Sequence, residues 1–87
     1  MRERSLAKVA PFFSDRRLKQ DIVPAGKDQA TGLNLYEFAY TVDPAKRFIG
    51  VMADEVEAFM PAAVMETPGG YKAVDYGMLG IELKEVA

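Results

Sequence analysis

The nine residues Ser14-Asp15-Arg16-Arg17-Leu18-Lys19-Gln20-Asp21-Ile22 hold the chain's densest set of groups able to do chemistry. One hydroxyl, three cations and two carboxylates fall within them. Phe12-Phe13 precede the run, and Ile22-Val23-Pro24 close it. A hydroxyl becomes a nucleophile only when a base takes its proton. The chain has no His and no Cys, which excludes His-based triads, thiolate chemistry, disulfides and most zinc and haem sites. Taken alone, a serine followed by aspartate is turn or cap chemistry. Arg16, Arg17 and Lys19 taken alone are a solvated strand face or salt bridges between chains.

Other elements must position these groups, and the length bounds what they can be. Eighty-seven residues make one small domain. Such a domain buries about two thirds of its unfolded surface and is marginal alone, and small domains usually take a disulfide, a metal or oligomerisation as support. With Cys and His absent, oligomerisation is the support left. The net charge of −2, with acids and bases interspersed, shows no basic footprint for nucleic acid. No apolar run approaches the ~20 residues of a membrane span. Met1 to Lys8 carries charge with no apolar segment behind it, unlike a signal peptide. These features predict a chain that is cytoplasmic at synthesis, with no membrane or nucleic-acid partner.

Hydrophobic patterning predicts an α+β fold: short antiparallel strands and hairpins with two helices, in the order β-β-β-α-β-β-α. Arg2 to Ala10 reads as two turns of helix ended by Pro11. Arg17 to Val23 alternates weakly as a strand, stopped at Pro24-Ala25-Gly26, with a polar loop over Lys27 to Gly32. Leu33 to Val42 is the clearest strand, with Tyr36, Phe38, Tyr40 and Val42 on one face and Leu33, Leu35 and Ala39 on the other. Apolar residues on both faces place it centrally or at a subunit interface. Glu37 among them needs a partner such as Arg47. Asp43-Pro44-Ala45-Lys46 is turn chemistry, and Arg47 to Met52 returns as a second strand. Ala53 to Met60 is a helix, with Met52, Val56, Phe59 and Met60 inward. Its Asp54, Glu55 and Glu57 read as a solvated face rather than a metal site. Ala63–Glu66 and Tyr71–Val74 form a hairpin around Thr67-Pro68-Gly69-Gly70. Asp75 caps a last helix, Tyr76 to Val86, striped by Leu79, Leu83 and Val86.

The Ser14–Ile22 run resembles the opening signature of the peptidase S74 family. These are intramolecular chaperone, auto-processing domains at the C-terminal ends of phage tailspikes and tail fibres. The resemblance continues in order through Gly32-Leu33-Asn34-Leu35-Tyr36-Glu37-Phe38 and Gly50-Val51-Met52-Ala53-Asp54-Glu55-Val56-Glu57. It then takes in Pro61-Ala62-Ala63-Val64 and Gly70-Tyr71-Lys72-Ala73-Val74-Asp75-Tyr76, so that it covers about residues 14–83. It implies a homotrimer whose folding client is an upstream fibre or spike domain. It also implies self-release by autoproteolysis on the N-terminal side of the motif serine through a Ser-Lys dyad. Here the scissile bond would be Phe13–Ser14, with Ser14 the nucleophile and Lys19 the base. Asp15, Arg17 and Asp21 would be supporting motif residues, and no cofactor or metal is implied. The implied location is the host cytoplasm during assembly, and the virion tail if the domain is not released.

The implied chemistry is an N→O acyl shift. The serine hydroxyl attacks the carbonyl of its own preceding residue, and water then hydrolyses the ester. To serve as base, a lysine must have its pKa lowered from ~10.4 toward ~7–8. Arg16 and Arg17 would lower it and Asp15 and Asp21 would raise it. Spacing is the obstacle. Five residues apart, Ser14 and Lys19 point to opposite faces of a straight strand and lie about 140° apart on a helix. Either the chain bends at Asp15-Arg16 or the lysine comes from a neighbouring subunit.

Set against the family pattern, residues 1–13 read as a leader or stub of an upstream segment. Residues 14–87 read as the chaperone domain with a shortened C-terminal helix. The alternative is a non-cleaving trimeric structural or tip module of a tail fibre or adhesin. A third reading is an unrelated small α+β binding domain, marked by a monomer with no Ser14–Lys19 proximity.

Overall fold

The computed structural model of the chain describes residues 3–5 and 12–86. Their fold is α+β, as the patterning predicts: mostly antiparallel strands in two sheets, with two short helices. The strands are β1 (Glu3–Ser5), β2 (Phe12–Phe13), β3 (Lys19–Lys27), β4 (Asn34–Tyr40), β5 (Asp43–Gly50), β6 (Val64–Glu66), β7 (Lys72–Val74) and β8 (Lys84–Val86). The helices are α1 (Ala53–Phe59) and α2 (Tyr76–Leu79), with one-turn 3₁₀ helices at Arg16–Leu18 and Pro61–Ala63. One sheet runs β1-β8-β5-β4-β3 and the other β2-β7-β6.

β4 and β5 form the middle of the larger sheet. β4 lies between β3 and β5, so both its edges are paired, and it is buried in part on both faces. Phe38 and Ala39 are fully buried. Arg47 Nε meets Glu37 Oε2 at 2.8 Å, the partner expected for that carboxylate. The β4–β5 turn falls at Thr41-Val42, because Tyr40 is already opposite Asp43. Val42 is therefore exposed at the turn rather than on the strand face. Asp43 to Lys46 belongs to β5 rather than to a turn, with an irregularity in register after Ala39/Arg47 that takes up Pro44.

β3 continues through Pro24-Ala25-Gly26, where the sequence predicts a stop. It is the edge of its sheet, and an edge strand tolerates proline because its outward N–H has no ladder partner. Two register shifts, between Gln20/Val23 and Pro24/Lys27, bend it. Asp21 at the first has φ 52° and Gly26 in the second has φ 105°. Aspartate is one of the few side chains that visits the left-handed region readily.

The last expected helix is corrected. After Asp75 caps α2 by accepting from Met78 N–H at 3.2 Å, the helix lasts one turn. Gly80 closes it at φ 68°, the left-handed C-terminal conformation that glycine permits. From there the chain is extended, and Ile81 and Leu83 are buried while Glu82 between them is exposed. Period two, not a helical stripe, organises these residues. Lys84–Val86 then pair with β5 and with β1. The helix expected over Arg2 to Ala10 is corrected at Glu3–Ser5, which are extended against β8; the rest of that span lies outside the described residues. An isolated two-turn helix is marginal, whereas the ladder to β8 satisfies backbone groups.

The core joins both sheets. Phe38, Val51, Met52, Val56, Ala63, Val74, Tyr76, Leu79 and Leu83 fill it. Met52 and Val56 of the expected α1 stripe are buried, but Phe59 is half exposed. The Ala63–Glu66/Tyr71–Val74 hairpin forms as β6 and β7. Gly50 sits where the end of β5 passes Tyr76. A Cβ there would overlap the Tyr76 hydroxyl and stand 2.8 Å from Leu83 Cδ1. Both neighbours are fully buried and cannot swing into solvent. Gly50→Ala is expected to lower unfolding free energy by about 1–3 kcal/mol, the usual cost of overpacking. Urea denaturation measures it, and a loss under about 0.5 kcal/mol, the range of an inconsequential surface change, counts against this packing.

Candidate functional site

The obstacle of spacing is solved by a bend. Asp15 caps the 3₁₀ turn Arg16–Leu18, accepting from Arg17 N–H at 3.0 Å through Oδ1. The turn folds the chain back between Ser14 and Lys19. As a result Lys19 Nζ lies 3.1 Å from Ser14 Oγ within the same chain. Both residues are buried, Ser14 at 0% exposure and Lys19 at 6%.

Each polar group of Ser14 is engaged. Its N–H donates to Lys72 O at 3.1 Å, which continues the β2–β7 ladder. Its carbonyl accepts from Ala53 N–H at 2.9 Å and so satisfies a free donor of the first turn of α1. Its Oγ lies 3.1 Å from the Val51 carbonyl oxygen and 3.1 Å from the Tyr76 hydroxyl. Val51 N–H donates to that tyrosine oxygen at 3.1 Å, which leaves the Tyr76 proton for Ser14 Oγ. Burial raises the Tyr76 pKa above its ordinary value, so the phenol keeps its proton.

Lys19 donates to the Val51 carbonyl at 2.7 Å. Its Nζ stands 4.0 Å from the centre of the Phe38 ring and 6.0 Å from that of Tyr40. No ion pair to Lys19 occurs among the described residues. Burial is the main cause that pulls its pKa down from the ordinary lysine value to about 7, and the Arg16 cation adds to it. Asp54 and Asp15 act in the opposite direction. The amine is thus neutral in a large fraction of molecules near pH 7 and can accept a hydroxyl proton.

The neighbouring residues hold this hook in place. Arg17 grips Asp15 with two bonds, Nε to Oδ1 at 2.9 Å and a terminal nitrogen to Oδ2 at 2.8 Å. Asp15 Oδ2 also takes Lys72 N–H at 3.0 Å. The Arg17 side-chain bonds, aided by those backbone N–H groups and resisted by desolvation, hold the Asp15 carboxyl well below the usual aspartate range. Arg16 reaches α1, with Asp54 at 3.2 Å and Glu55 at 3.3 Å, while Glu57 pairs with Lys72. The acids of α1 are therefore not simply a solvated face: they fasten the helix to the hook and to β7. No group of three or more acidic, His or Cys residues able to hold a metal occurs among the described residues. No described helix is long and apolar enough to cross a membrane.

Of the sequence-predicted residues, the structure brings together Phe13, Ser14, Asp15, Arg17 and Lys19. Asp21 does something else. Its backbone bends β3 at the first register shift, its carbonyl accepts from Arg47 at 2.8 Å and its carboxylate takes Gln20 Nε2 at 3.3 Å. From the sequence Tyr76 is the end of one motif block and the start of the last expected helix, and Val51 lies inside another block and the second hairpin strand; neither is marked as a site residue. Both are site residues, and no local spacing announces them, because they lie 62 and 37 positions from Ser14.

The fold and this buried hydroxyl–amine pair define a class: a small α+β domain with a hook-shaped Ser–Lys site and no metal-binding cluster among the described residues. A family model described as the chaperone of endosialidase, peptidase S74, matches residues 14–65. That is more than half of the chain, and the chain belongs to this family. The match begins at Ser14 and contains Lys19, Tyr40 and Val51, while Tyr76 lies beyond it. No curated protein and no solved structure matches the chain. Membership removes the reading as an unrelated binding domain.

Two outcomes follow from the electrostatics. Between pH 7 and the ordinary lysine range the unfolded chain holds a proton on Lys19 that the folded chain releases, so stability from this group rises with pH. Lys19→Met is expected to stabilise the fold at pH 6 by about 1–3 kcal/mol, as replacing a buried charge by an apolar group can. The gain should shrink toward pH 10; urea melts across pH read it, and a gain constant with pH counts against a buried, strained ammonium. Asp15 has the opposite sign. Its lowered carboxyl contributes stability above the ordinary aspartate range that is lost as pH falls. Asp15→Ala should cost about 2–3 kcal/mol at pH 7, from the charged hydrogen bonds removed, and less at pH 3. Equal losses at both pH values would argue that its charge is not what matters.

Proposed function

We propose that this chain is a trimerising intramolecular chaperone domain of a phage tail fibre or tailspike, and that it separates from its client by cutting itself at Phe13–Ser14. Family membership supports the chaperone role. The observation that carries the cleavage is the 3.1 Å contact between Lys19 Nζ and Ser14 Oγ in a buried site. Neutral Lys19 takes the Ser14 hydroxyl proton, and Oγ attacks the carbonyl carbon of Phe13. The C–N bond of Phe13–Ser14 then breaks, and the Ser14 nitrogen receives a proton from the Lys19 ammonium. The resulting ester joins Phe13 to Ser14 Oγ. Water hydrolyses it to a Phe13 carboxylate and a free Ser14 hydroxyl, with a new amino terminus at Ser14.

Subunit contact has a candidate surface. An apolar groove of about 590 Å³ opens beside Phe13 and is lined by Phe12, Tyr40, Val42, Phe48, Tyr71 and Leu83 among others. A small domain that leaves such a groove open gains stability by covering it with further copies. The domain acts in the host cytoplasm during assembly and stays on the virion tail if uncut.

A second reading is favoured by one observation. Ser14 has no exposed surface, whereas ester hydrolysis needs water at the same centre. In that reading the hydroxyl, the amine and Tyr76 only saturate the Val51 peptide, and the domain is a non-cleaving trimeric module of a fibre or adhesin tip. Intact mass of freshly expressed protein separates the two, with Ser14→Ala in parallel. Cleavage gives a species beginning at Ser14 in the wild type and none in Ser14→Ala. Its rate should rise with pH through a midpoint of about 7, as Lys19 loses its proton. A single uncut mass in both proteins, with and without an upstream fibre segment fused, leaves the non-cleaving module standing.

A further inference from the structure

The cleavage chemistry above accounts for a nucleophile and a base but leaves one charge unattended. When Oγ adds to the Phe13 carbonyl, negative charge develops on the Phe13 oxygen. Donors placed at such an oxygen in advance are usually the largest single source of catalysis in acyl transfer. The Phe13 carbonyl belongs to β2, an edge strand paired on one side to β7. The hydrogen bond from this point of the chain to β7 is made by Ser14 N–H to Lys72 O. The Phe13 oxygen instead meets the hydroxyl of Tyr40 at 2.6 Å. A carbonyl only accepts, so Tyr40 is the donor.

We infer that Tyr40 is a further catalytic residue, whose phenol stabilises the oxyanion formed on Phe13 during self-cleavage. This rests on the proposed cleavage at Phe13–Ser14. Three features set the phenol in place. First, Tyr40 and Lys19 are direct partners in the β3–β4 register. One rung of the ladder therefore delivers the base to the serine and the donor to the carbonyl of the same peptide bond. Second, the ring is fixed edge-on between Phe38 at 5.2 Å and Phe48 at 5.4 Å, which removes the rotational freedom a surface tyrosine would have. Third, burial, with the Tyr76 phenol adding to it, raises the Tyr40 pKa above its ordinary value. The donor keeps its proton over the pH range in which Lys19 becomes neutral.

The proton on Tyr40 is not consumed. It remains on the phenol and strengthens its bond as the carbonyl oxygen becomes anionic. It relaxes when that oxygen regains its double bond as the C–N bond breaks. The same contact serves the second tetrahedral species, when water adds to the ester carbonyl.

The test uses the full chain with its upstream segment, followed by intact mass over time at several pH values. Wild type, Ser14→Ala and Tyr40→Phe are compared, with thermal melts as a check on folding. Tyr40→Phe is expected to slow cleavage about 10²–10³-fold, the usual loss on removing one such donor. The pH midpoint set by Lys19 should stay where it is. A tyrosine that merely props up the site would instead move the Lys19 midpoint. Wild type and Tyr40→Phe cutting at rates within about twofold, below the loss expected for a donor to the oxyanion, would overturn the role of Tyr40 and leave Ser14 and Lys19 untouched. No cut in the wild type would remove the cleavage reading and this inference with it. Should Tyr40→Phe melt low, 3-fluorotyrosine at position 40 keeps the ring contacts and makes a stronger donor. Faster cleavage is then expected, and an unchanged rate overturns the inference.

Discussion

The structure depends on keeping an unpaired amine inside the protein. Lys19 has 6% of its surface exposed and no carboxylate partner among the described ion pairs. Isolated buried charge is expensive, and the group answers by shifting its pKa. The remaining cost is offset by a carbonyl at 2.7 Å, a hydroxyl at 3.1 Å and the face of Phe38 at 4.0 Å. Each of these partners is placed by a different element. The carbonyl follows β5, the hydroxyl precedes the 3₁₀ turn and the ring comes from β4. Loss of any one exposes the others to an unmatched amine, so the elements are held to one geometry.

A second constraint fixes the serine side of the pair. Ser14 spends its backbone N–H on β7 and its carbonyl on α1, so it joins the small sheet to the helix. Asp15 repeats the arrangement one residue on, through Arg17 and the Lys72 N–H. The hook is thus a junction of both sheets and α1 rather than a surface loop. This explains why no buried side-chain polar atom among the described residues lacks a partner. A dense polar site is tolerable inside a small domain only when every member is satisfied.

Much of this fold was legible because its signals are local. Alternation over Leu33 to Val42, acids at the start of α1, Pro61 after it and Asp75 as a cap all have nearby causes. The pairing of Ser14 with Lys19, which the structure places 3.1 Å apart, was also legible, but only through the family motif, since their spacing forbids contact on any regular element. Where the reading failed, tertiary context outweighed local preference. Pro24 stays in a strand because that strand is an edge. Gly80 ends a helix because its φ of 68° suits the left-handed turn, after which period-two burial of Ile81 and Leu83 takes over. Tyr40 reads from the sequence as a core or interface aromatic and Tyr76 as the start of a helix; the Tyr76 ring is fully buried and the Tyr40 ring packs against the core. Only the fold shows that their hydroxyls end on Phe13 and Ser14.

The long sequence separations at the site give it a property that a local dyad would lack. Ser14 and Lys19 are five residues apart, and a bend alone could bring them together. Yet Ser14 Oγ is also set by Tyr76, and Tyr76 fits only because Gly50 leaves room for its hydroxyl. Lys19 acquires its lowered pKa chiefly from burial, which requires Phe38 and the rest of the core to be in place. A half-folded chain has the two residues but an exposed amine with an ordinary pKa, charged at neutral pH and unable to act as a base. Contacts between residues far apart in sequence, such as Ser14 and Tyr76, form more slowly than local ones. A site assembled from residues 13–14, 19, 40, 51 and 76 therefore takes its geometry only when the domain is complete, and the proposed cleavage would wait for it. For the self-release proposed above, this ordering needs no separate regulator.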